Sequence, residues 1–403
     1  MAHAASHLNT SRPAIHLVAP AGTCRMLLTH LHVNGGAALL GHVGGIVGDR
    51  YRVTGDPRLL EAEEDEAHGG RRDDDARAAD ITGALADDTV AAIVALRGGA
   101  WFTRVLPLID FSVLDRRRGP VMVFGFSELT TLVNIVGAHV RGVGVYAMCP
   151  GFLGYGLKRY AAVRLKHADP DGWMRERFAI EFRAFFEDVV GRIACHVAAR
   201  GSDGASGAAR ARPVLHRTAS PHGPGALTAR LVAGDVSDAA DAVFVGGNLT
   251  VFATLIGSRF APCVTPAGRW LVIEDLNEKV ERVDRLLAHL TLAGFWETCA
   301  GVLIGDFHRR AADLVPAVCH LLPYHLPKRR SNRGPIPVLV TEHVGHVWPM
   351  TPLPLHTALP IHRIAGERST YRIGNERTTE VMCSGYEHGG SGVRRAPRRA
   401  TRG

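Results

Sequence analysis

Two short apolar runs, TVAAIVAL at residues 89–96 and VMVF at residues 121–124, each end in a glycine-bearing turn. Runs of this length, without polar alternation, read as strands buried on both faces, the condition of a parallel sheet covered by helices. AIHLVAP at residues 14–20 is a third such run and leads into Pro-Ala-Gly. Strand, turn and helix at this pitch restrict the chain to an α/β layering whose turns gather at the carboxyl edge of one sheet.

One of those turns carries a nucleophile candidate. In VMVFGFSELTTL (121–132), Gly125 permits a sharp reversal and Ser127 falls at the bend before an apolar, helix-compatible run from Leu129. A serine there has its hydroxyl at the sheet edge. The amide of Glu128 sits at a helix N-terminus, where unpaired N–H groups can hold an oxyanion. Leu129 stands where a G-x-S-x-G elbow has its second glycine. The strand at 89–96 ends in Arg97-Gly98-Gly99-Ala100-Trp101, and paired glycines let backbone amides face a ligand. Two such turns can converge on one ligand. The bland alternatives are a buried turn serine and an ordinary strand-to-helix loop.

A chain of 403 residues has room for two domains with full cores. No apolar run is long enough to span a bilayer, and MAHAASHLNTSRP has no signal-type hydrophobic segment, so the expected address is the cytoplasm. Seven cysteines without a C-x-x-C pair fit reduced thiols and give no structural zinc site. The +8 formal charge owes much to Arg394, Arg395, Arg398, Arg399 and Arg402, behind a Gly/Ser break at 389–392. Such a tail reads as solvated and disordered, so neither a nucleic acid nor a membrane is an expected partner. Histidine pairs such as His30/His32 and His320/His325 read as surface residues, not metal ligands. The charged stretch 61–80, with its EAEEDEAHGGRRDDD core, reads as a solvated loop and helix face.

Residues 173–200 repeat apolar groups at helical spacing (Phe178, Phe182, Phe185 or Phe186, Val189, Ile193), a packing stripe. GSDGASGAARARP (201–213) is the best linker. Beyond it, strands are expected around Leu215 and at 227–232, then a glycine turn and helix within 243–258. A strand at 270–273 ends in Glu274-Asp275, followed by a helix at 280–293 and a strand at 301–304. A strand at 337–340 leads to Thr341-Glu342-His343-Val344-Gly345-His346, and a proline-rich piece and an alternating segment at 371–373 close the unit. The domains expected are 13–165, a helical insertion and linker at 166–212, 213–385, and the basic tail 386–403.

The order of these pieces resembles the LD-carboxypeptidase family of serine peptidases, which also holds the microcin C self-immunity proteins. The motifs carrying the resemblance are AP-x-G at 19–22, RGG at 97–99, GFSELT at 125–130, GGNL at 246–249, IEDLNE at 273–278, and Gly345-His346 followed by LPL at 353–355. The resemblance implies an N-terminal parallel-sheet domain like that of class I glutamine amidotransferases. It also implies a C-terminal α/β domain with a swivelling β-barrel-like core, the active site lying in the cleft between them. It implies Ser127 as nucleophile, His346 as general base, Glu274 as its orienting acid, and the amides of Gly99 and Glu128 as oxyanion hole, with no metal or cofactor. Asp275 and His343 are the near competitors for the acid and the base. The substrate implied is a murein tetrapeptide cleaved in wall recycling; a homodimer is left open. The alternatives are an amide hydrolase acting on peptidyl or aminoacyl nucleotides, with Trp101 or Trp348 stacking a base, and a non-catalytic binder of wall peptides. The chain departs from the family pattern at Glu128, usually Asp, at Ala100-Trp101, at Ala21, and at Met148-Cys149-Pro150-Gly151, where a His-Gly-Pro-like segment is usual. The 173–200 helix has no clear counterpart.

Overall fold

A computed structural model of the chain describes residues 12–65, 67, 69–201, 227–236, 240–310, 312–327 and 334–374. Apart from Gly201, which ends a helix, the linker expected at 201–213 lies outside the described residues. So do the strand expected around Leu215 and the tail 386–403.

The first half alternates as anticipated: β1 (Ala14–Val18), α1 (Arg25–Leu31), α2 (Gly35–Val47), β2 (Arg52–Thr54), α3 (Pro57–Glu61), α4 (Asp74–Ala86) and β3 (Val90–Ala95). It continues through β4 (Val121–Gly125), α5 (Thr130–Ala138), β5 (Gly142–Tyr146), α6 (Leu153–Val163) and α7 (Pro170–Gly201). The five strands are parallel, in spatial order β5-β4-β3-β1-β2. β1 and β2 therefore lie to one side and β3 to β5 to the other, and the loops after β1 and β3 part at the switch of strand order. Ligands bind in α/β sheets at such a point. The Gly22 amide bonds the Gly98 carbonyl across it at 2.9 Å.

The charged stretch 61–80 is not solvated throughout, contrary to expectation. Arg71 and Arg77 are buried; Arg71 donates to the carbonyls of Ala19 and Leu59, and Arg77 to that of Pro20. These carbonyls turn inward just beyond β1 or beside it, and a guanidinium with five donors satisfies several at once while pairing with Asp73 or Asp74. In α7 the stripe packs as its spacing predicts: the His30 ring lies 4.7 Å from Phe178 and His42 lies 5.8 Å from Phe182, so the helix covers α1 and α2.

The second half contributes β6 (Leu227–Ala233), β7 (Ala240–Asn248), α8 (Leu249–Ala253), β8 (Trp270–Leu276), α9 (Val280–Leu292) and β9 (Gly301–Arg309). Then follow β10 (Ala312–Asp313), α10 (Val315–His325), β11 (Val338–Val340), β12 (Leu353–Pro354), β13 (Ala358–Arg363) and β14 (Thr370–Ile373). Strands β9-β11-β6-β14-β13-β7-β8 form a ring that the β8–β9 pairing closes, a seven-stranded barrel with β10 appended to β9. Three readings need correction. β7 runs straight through Gly246-Gly247, which is not a turn. β8 continues through Glu274-Asp275, because their backbones still pair with β7 and β9. α10 was not anticipated, since Pro316 near its start and Pro323 inside it mask a helical signal.

The halves are stitched together. β12 leaves the barrel and adds an antiparallel edge to β5, with Leu353 opposite Tyr146. The Asn134 amide, buried on α5, bonds both the N–H and the C=O of Gly246, and the Asn248 N–H donates to the Thr130 hydroxyl. Each bond satisfies a backbone group that the seam would otherwise strand.

Candidate active site

Ser127 follows β4 at the carboxyl edge of the sheet. Phe126 is extended, and Ser127 opens a short 3₁₀ turn (Ser127–Leu129) with φ 58° before α5 begins. Positive φ is uncommon for a residue with a Cβ and marks a strained elbow. The neighbouring loop is held close. A Cβ on Gly98 would stand 3.0 Å from the Cβ of Ser127, a tight approach that glycine makes without crowding. The buried Glu128 carboxylate accepts from the amides of Phe102 and Thr103 at 3.1 and 3.2 Å. It thereby ties the loop bearing Gly98-Gly99 to the elbow. Burial pushes this carboxyl above its ordinary range, and the two amides oppose that. The role of a carboxylate after the serine, open in the sequence, is thus a structural tether.

Glu274 and His346 come from the barrel side. The β8–β9 register shifts between Ile273 and Asp275, a bulge that re-aims side chains and leaves both Glu274 and Asp275 buried. His346 lies in the loop beyond β11. Gly345 before it has φ 114°, and a Cβ there would stand 3.0 Å from Glu274, so this glycine lets the histidine loop close onto the acid. The result joins the three expected side chains: His346 Nε2 lies 3.1 Å from Ser127 Oγ, and Nδ1 lies 2.6 Å from Glu274 Oε2. Burial pulls the imidazole down, but the charge and hydrogen bond of Glu274, helped by Asp275 and Asp306, leave it above its ordinary value. Phe126 and Phe152 pack its ring, with centroids 4.8 and 5.0 Å away.

The competitors are engaged elsewhere. Asp275 accepts from the Asn248 amide and from the N–H and hydroxyl of Thr250; burial and the Glu274 charge push it up to about 6. His343 Nε2 meets the Thr228 hydroxyl at 3.1 Å. Trp101 packs over Gly70 with the Arg104 guanidinium 5.3 Å from its ring, and Trp348 packs on Tyr160 and Trp173. Gly99 is exposed beside the elbow with φ 118°. Of the histidine pairs, His30 and His325 are half-buried, against Phe178 and on Asp284 respectively, unlike the surface expectation. Among the described residues no group of three or more His, Cys, Asp or Glu is placed to hold a metal. Among them, too, no helix is long and apolar enough to cross a membrane.

Sequence reasoning assigned no role to three contributors. Tyr146 donates to Glu274 Oε1 at 2.6 Å and accepts from the Ser127 amide at 3.3 Å. A tyrosine ending a buried strand, in register with Gly125 of the nucleophile strand, was the available signal. Arg159 donates to the His346 carbonyl and to both oxygens of Asp306. The Arg97 guanidinium, two residues beyond β3, has a buried Nε without a partner among the described residues and an Nη1 3.5 Å from the Gly151 carbonyl. A hydroxyl, an imidazole and a carboxylate stand in series, the geometry in which a base can reach a nucleophile.

The model of the LD-carboxypeptidase N-terminal domain matches residues 15–147, and that of the C-terminal domain matches 241–361. A Bacillus subtilis (strain 168) protein named "Probable murein peptide carboxypeptidase" is 26% identical over 235 residues, covering 58% of this chain and 58% of its own length. The chain thus spans somewhat over half the length of that relative. Two solved structures share the fold. The muramoyltetrapeptide carboxypeptidase from Oxalobacter formigenes has a TM-score of 0.52 and 20% identity, covering 90% of this chain and 99% of its own. MccF in complex with glutamyl sulfamoyl guanosine has a TM-score of 0.56 and 14% identity, covering 90% and 96%. Both domain models match in order, one over the segment with Ser127 and the other over the segments with Glu274 and His346, and the chain belongs to the LD-carboxypeptidase family.

Proposed function

We propose that the protein is a serine-type carboxypeptidase that releases a terminal D-amino acid from a murein tetrapeptide, in the cytoplasmic recycling of wall peptides. The observation that carries the reading is the series Ser127 Oγ, His346, Glu274, with contacts of 3.1 and 2.6 Å across the seam between the halves. Ser127 Oγ attacks the scissile carbonyl while His346 Nε2 takes its proton. The amides of Gly99 and Glu128 hold the oxyanion, and the imidazolium protonates the leaving amine. Water, deprotonated by the same imidazole, then releases the acyl group. Glu274 fixes the imidazole tautomer and stabilises the imidazolium. A carboxypeptidase must also recognise a free carboxylate, and Arg97, with its unpartnered Nε beside the Gly98-Gly99 loop, is the cation suited to that task.

A second reading keeps the chemistry and takes peptidyl or aminoacyl nucleotides as substrate. What favours it is the fold shared with MccF bound to glutamyl sulfamoyl guanosine. Trp101 and Trp348 lend it little support, since each indole is packed against the protein's own side chains or backbone. A loss-of-turnover binder would have no need of the assembled series. Incubation with murein tetrapeptide and mass spectrometry of the product tests the first reading, with loss of one terminal D-amino acid expected. Cleavage of an aminoacyl sulfamoyl adenosine with no action on the tetrapeptide would replace it with the second. Absence of fluorophosphonate labelling at Ser127 would sink both.

A further inference from the structure

Four residues close a ring of hydrogen bonds. The Ser127 amide donates to the Tyr146 hydroxyl, which donates to Glu274 Oε1; Glu274 Oε2 meets His346 Nδ1, and His346 Nε2 meets Ser127 Oγ. Ser127 and Tyr146 belong to the first sheet, Glu274 and His346 to the barrel side, so the ring crosses the seam twice. We propose that Tyr146 is a positioning residue of this site, holding Glu274 in place, sharing its charge, and thereby setting how readily His346 takes the serine proton. The inference rests on the proposed serine mechanism.

Three features support it. First, the phenol is fully buried, and burial followed by the charge of Glu274 pushes it well above its ordinary value, so it keeps its proton and remains a donor. Second, with one carboxylate oxygen on a neutral donor, Glu274 faces His346 with a partly compensated charge. Third, the same hydroxyl accepts the amide of Ser127, a residue at φ 58°, and so pins the elbow to the acid. The charges facing His346 are Glu274 and Asp275 from β8 and Asp306 from β9, while Arg159 from α6 bonds its carbonyl. Glu274 and the hydroxyl of Thr130 face Tyr146.

Tyr146→Phe deletes the donor and keeps the ring. The expected result is a fall in kcat of about tenfold with KM changed by less than about twofold. The acid limb of kcat/KM should move up by roughly half a pH unit, because an uncompensated Glu274 favours the imidazolium. The titration of His346 followed by ¹⁵N NMR should move with it. Coincident pH profiles for variant and wild type, or an effect on KM alone, would overturn the proposal. The NMR titration is independent of turnover, so it decides this point even if wild type proves unreactive at Ser127, an outcome that would sink the mechanism instead. If Tyr146→Phe does not fold, 3-fluorotyrosine placed at position 146 gives a more acidic donor. The His346 titration should then move down, and an unmoved titration would equally overturn the inference.

Discussion

Among the described residues two buried histidines lie close together, each paired with a carboxylate, and the pairs end differently. His346 Nδ1 lies 2.6 Å from Glu274, and His308 Nδ1 lies 2.5 Å from Asp306 on the adjoining strand. Both imidazoles are almost wholly excluded from solvent. The remaining nitrogen of His346 meets the hydroxyl of half-buried Ser127, while that of His308 meets the phenol of Tyr155 at 3.2 Å. The acids differ too. Asp306 also carries the Arg159 guanidinium at 3.2 Å on each oxygen, so its charge is already answered, whereas the second partner of Glu274 is the neutral Tyr146. On the proposed mechanism, a histidine–carboxylate pair alone is not enough to make the catalytic base. It becomes one when the acid retains charge for an imidazolium and the far nitrogen faces a nucleophile on an open edge.

The largest effects should separate the pairs. Ser127→Ala and His346→Ala should each lower kcat on the order of a thousandfold or more with folding intact, measured with murein tetrapeptide and by circular dichroism. Glu274→Gln should cost somewhat less, on the order of a hundredfold or more, because shape survives while the charge is lost. The pH profile carries the sign. His346 must be neutral to accept the proton and its titration lies above the ordinary value, so kcat/KM should rise through an apparent pKa above about 6.5 and level off at alkaline pH. In Glu274→Gln the limb should fall to lower pH, since burial then acts on the imidazole without the carboxylate that outweighs it. A limb unmoved by this substitution would mean that another group titrates.

Of this site, the elbow was legible and the closure was not. Val121–Gly125 and Ser127 form one local strand-to-turn signal, in which the glycine and the apolar run speak for themselves. Glu274 and His346 stand out only through motif order, because what unites them is a bulge in β8 and a glycine at φ 114°, both consequences of barrel pairing between distant segments. Tyr146 reads as one more apolar residue ending a strand until Glu274 is brought against it. The same holds for Arg71 and Arg77, which look solvated in a run of charges and are buried because distant carbonyls need donors. β12 was illegible for a like reason: two residues, Leu353 and Pro354, become a strand only because β5 has a free edge. Local pattern fixed the layers, and long-range pairing fixed the chemistry.

An intermediate effect is expected at the tether. Glu128→Ala removes the acceptor for the amides of Phe102 and Thr103 and frees the loop bearing Gly99 from the elbow. A looser oxyanion donor should lower kcat by roughly tenfold, less than outright loss of such a donor, while His346 and its pH limb stay as they are. Glu128→Gln keeps one acceptor oxygen and should recover most of the rate. If alanine at 128 moved the acid limb and left the plateau alone, Glu128 would be acting on the base, not on the loop.

The smallest effect should come from the other pair, and it is the sharpest test of the comparison. In His308→Gln an amide replaces the ring on Asp306, and Arg159 stays to answer the aspartate charge and hold the His346 carbonyl. The contribution of Asp306 to the His346 imidazolium is the weakest of the four favourable ones. A change in its neighbour should therefore leave the acid limb within roughly 0.2 pH unit of wild type and kcat within about threefold, with the difference appearing as lower thermal stability. Tyr155, exposed at the end of this chain, loses a partner but touches neither Ser127 nor Glu274 through any hydrogen bond among the described residues. A loss at His308 comparable with that at His346 would mean that the two pairs work as one relay. The neutralised acid would then be part of the base after all, and the distinction drawn from Arg159 would fail.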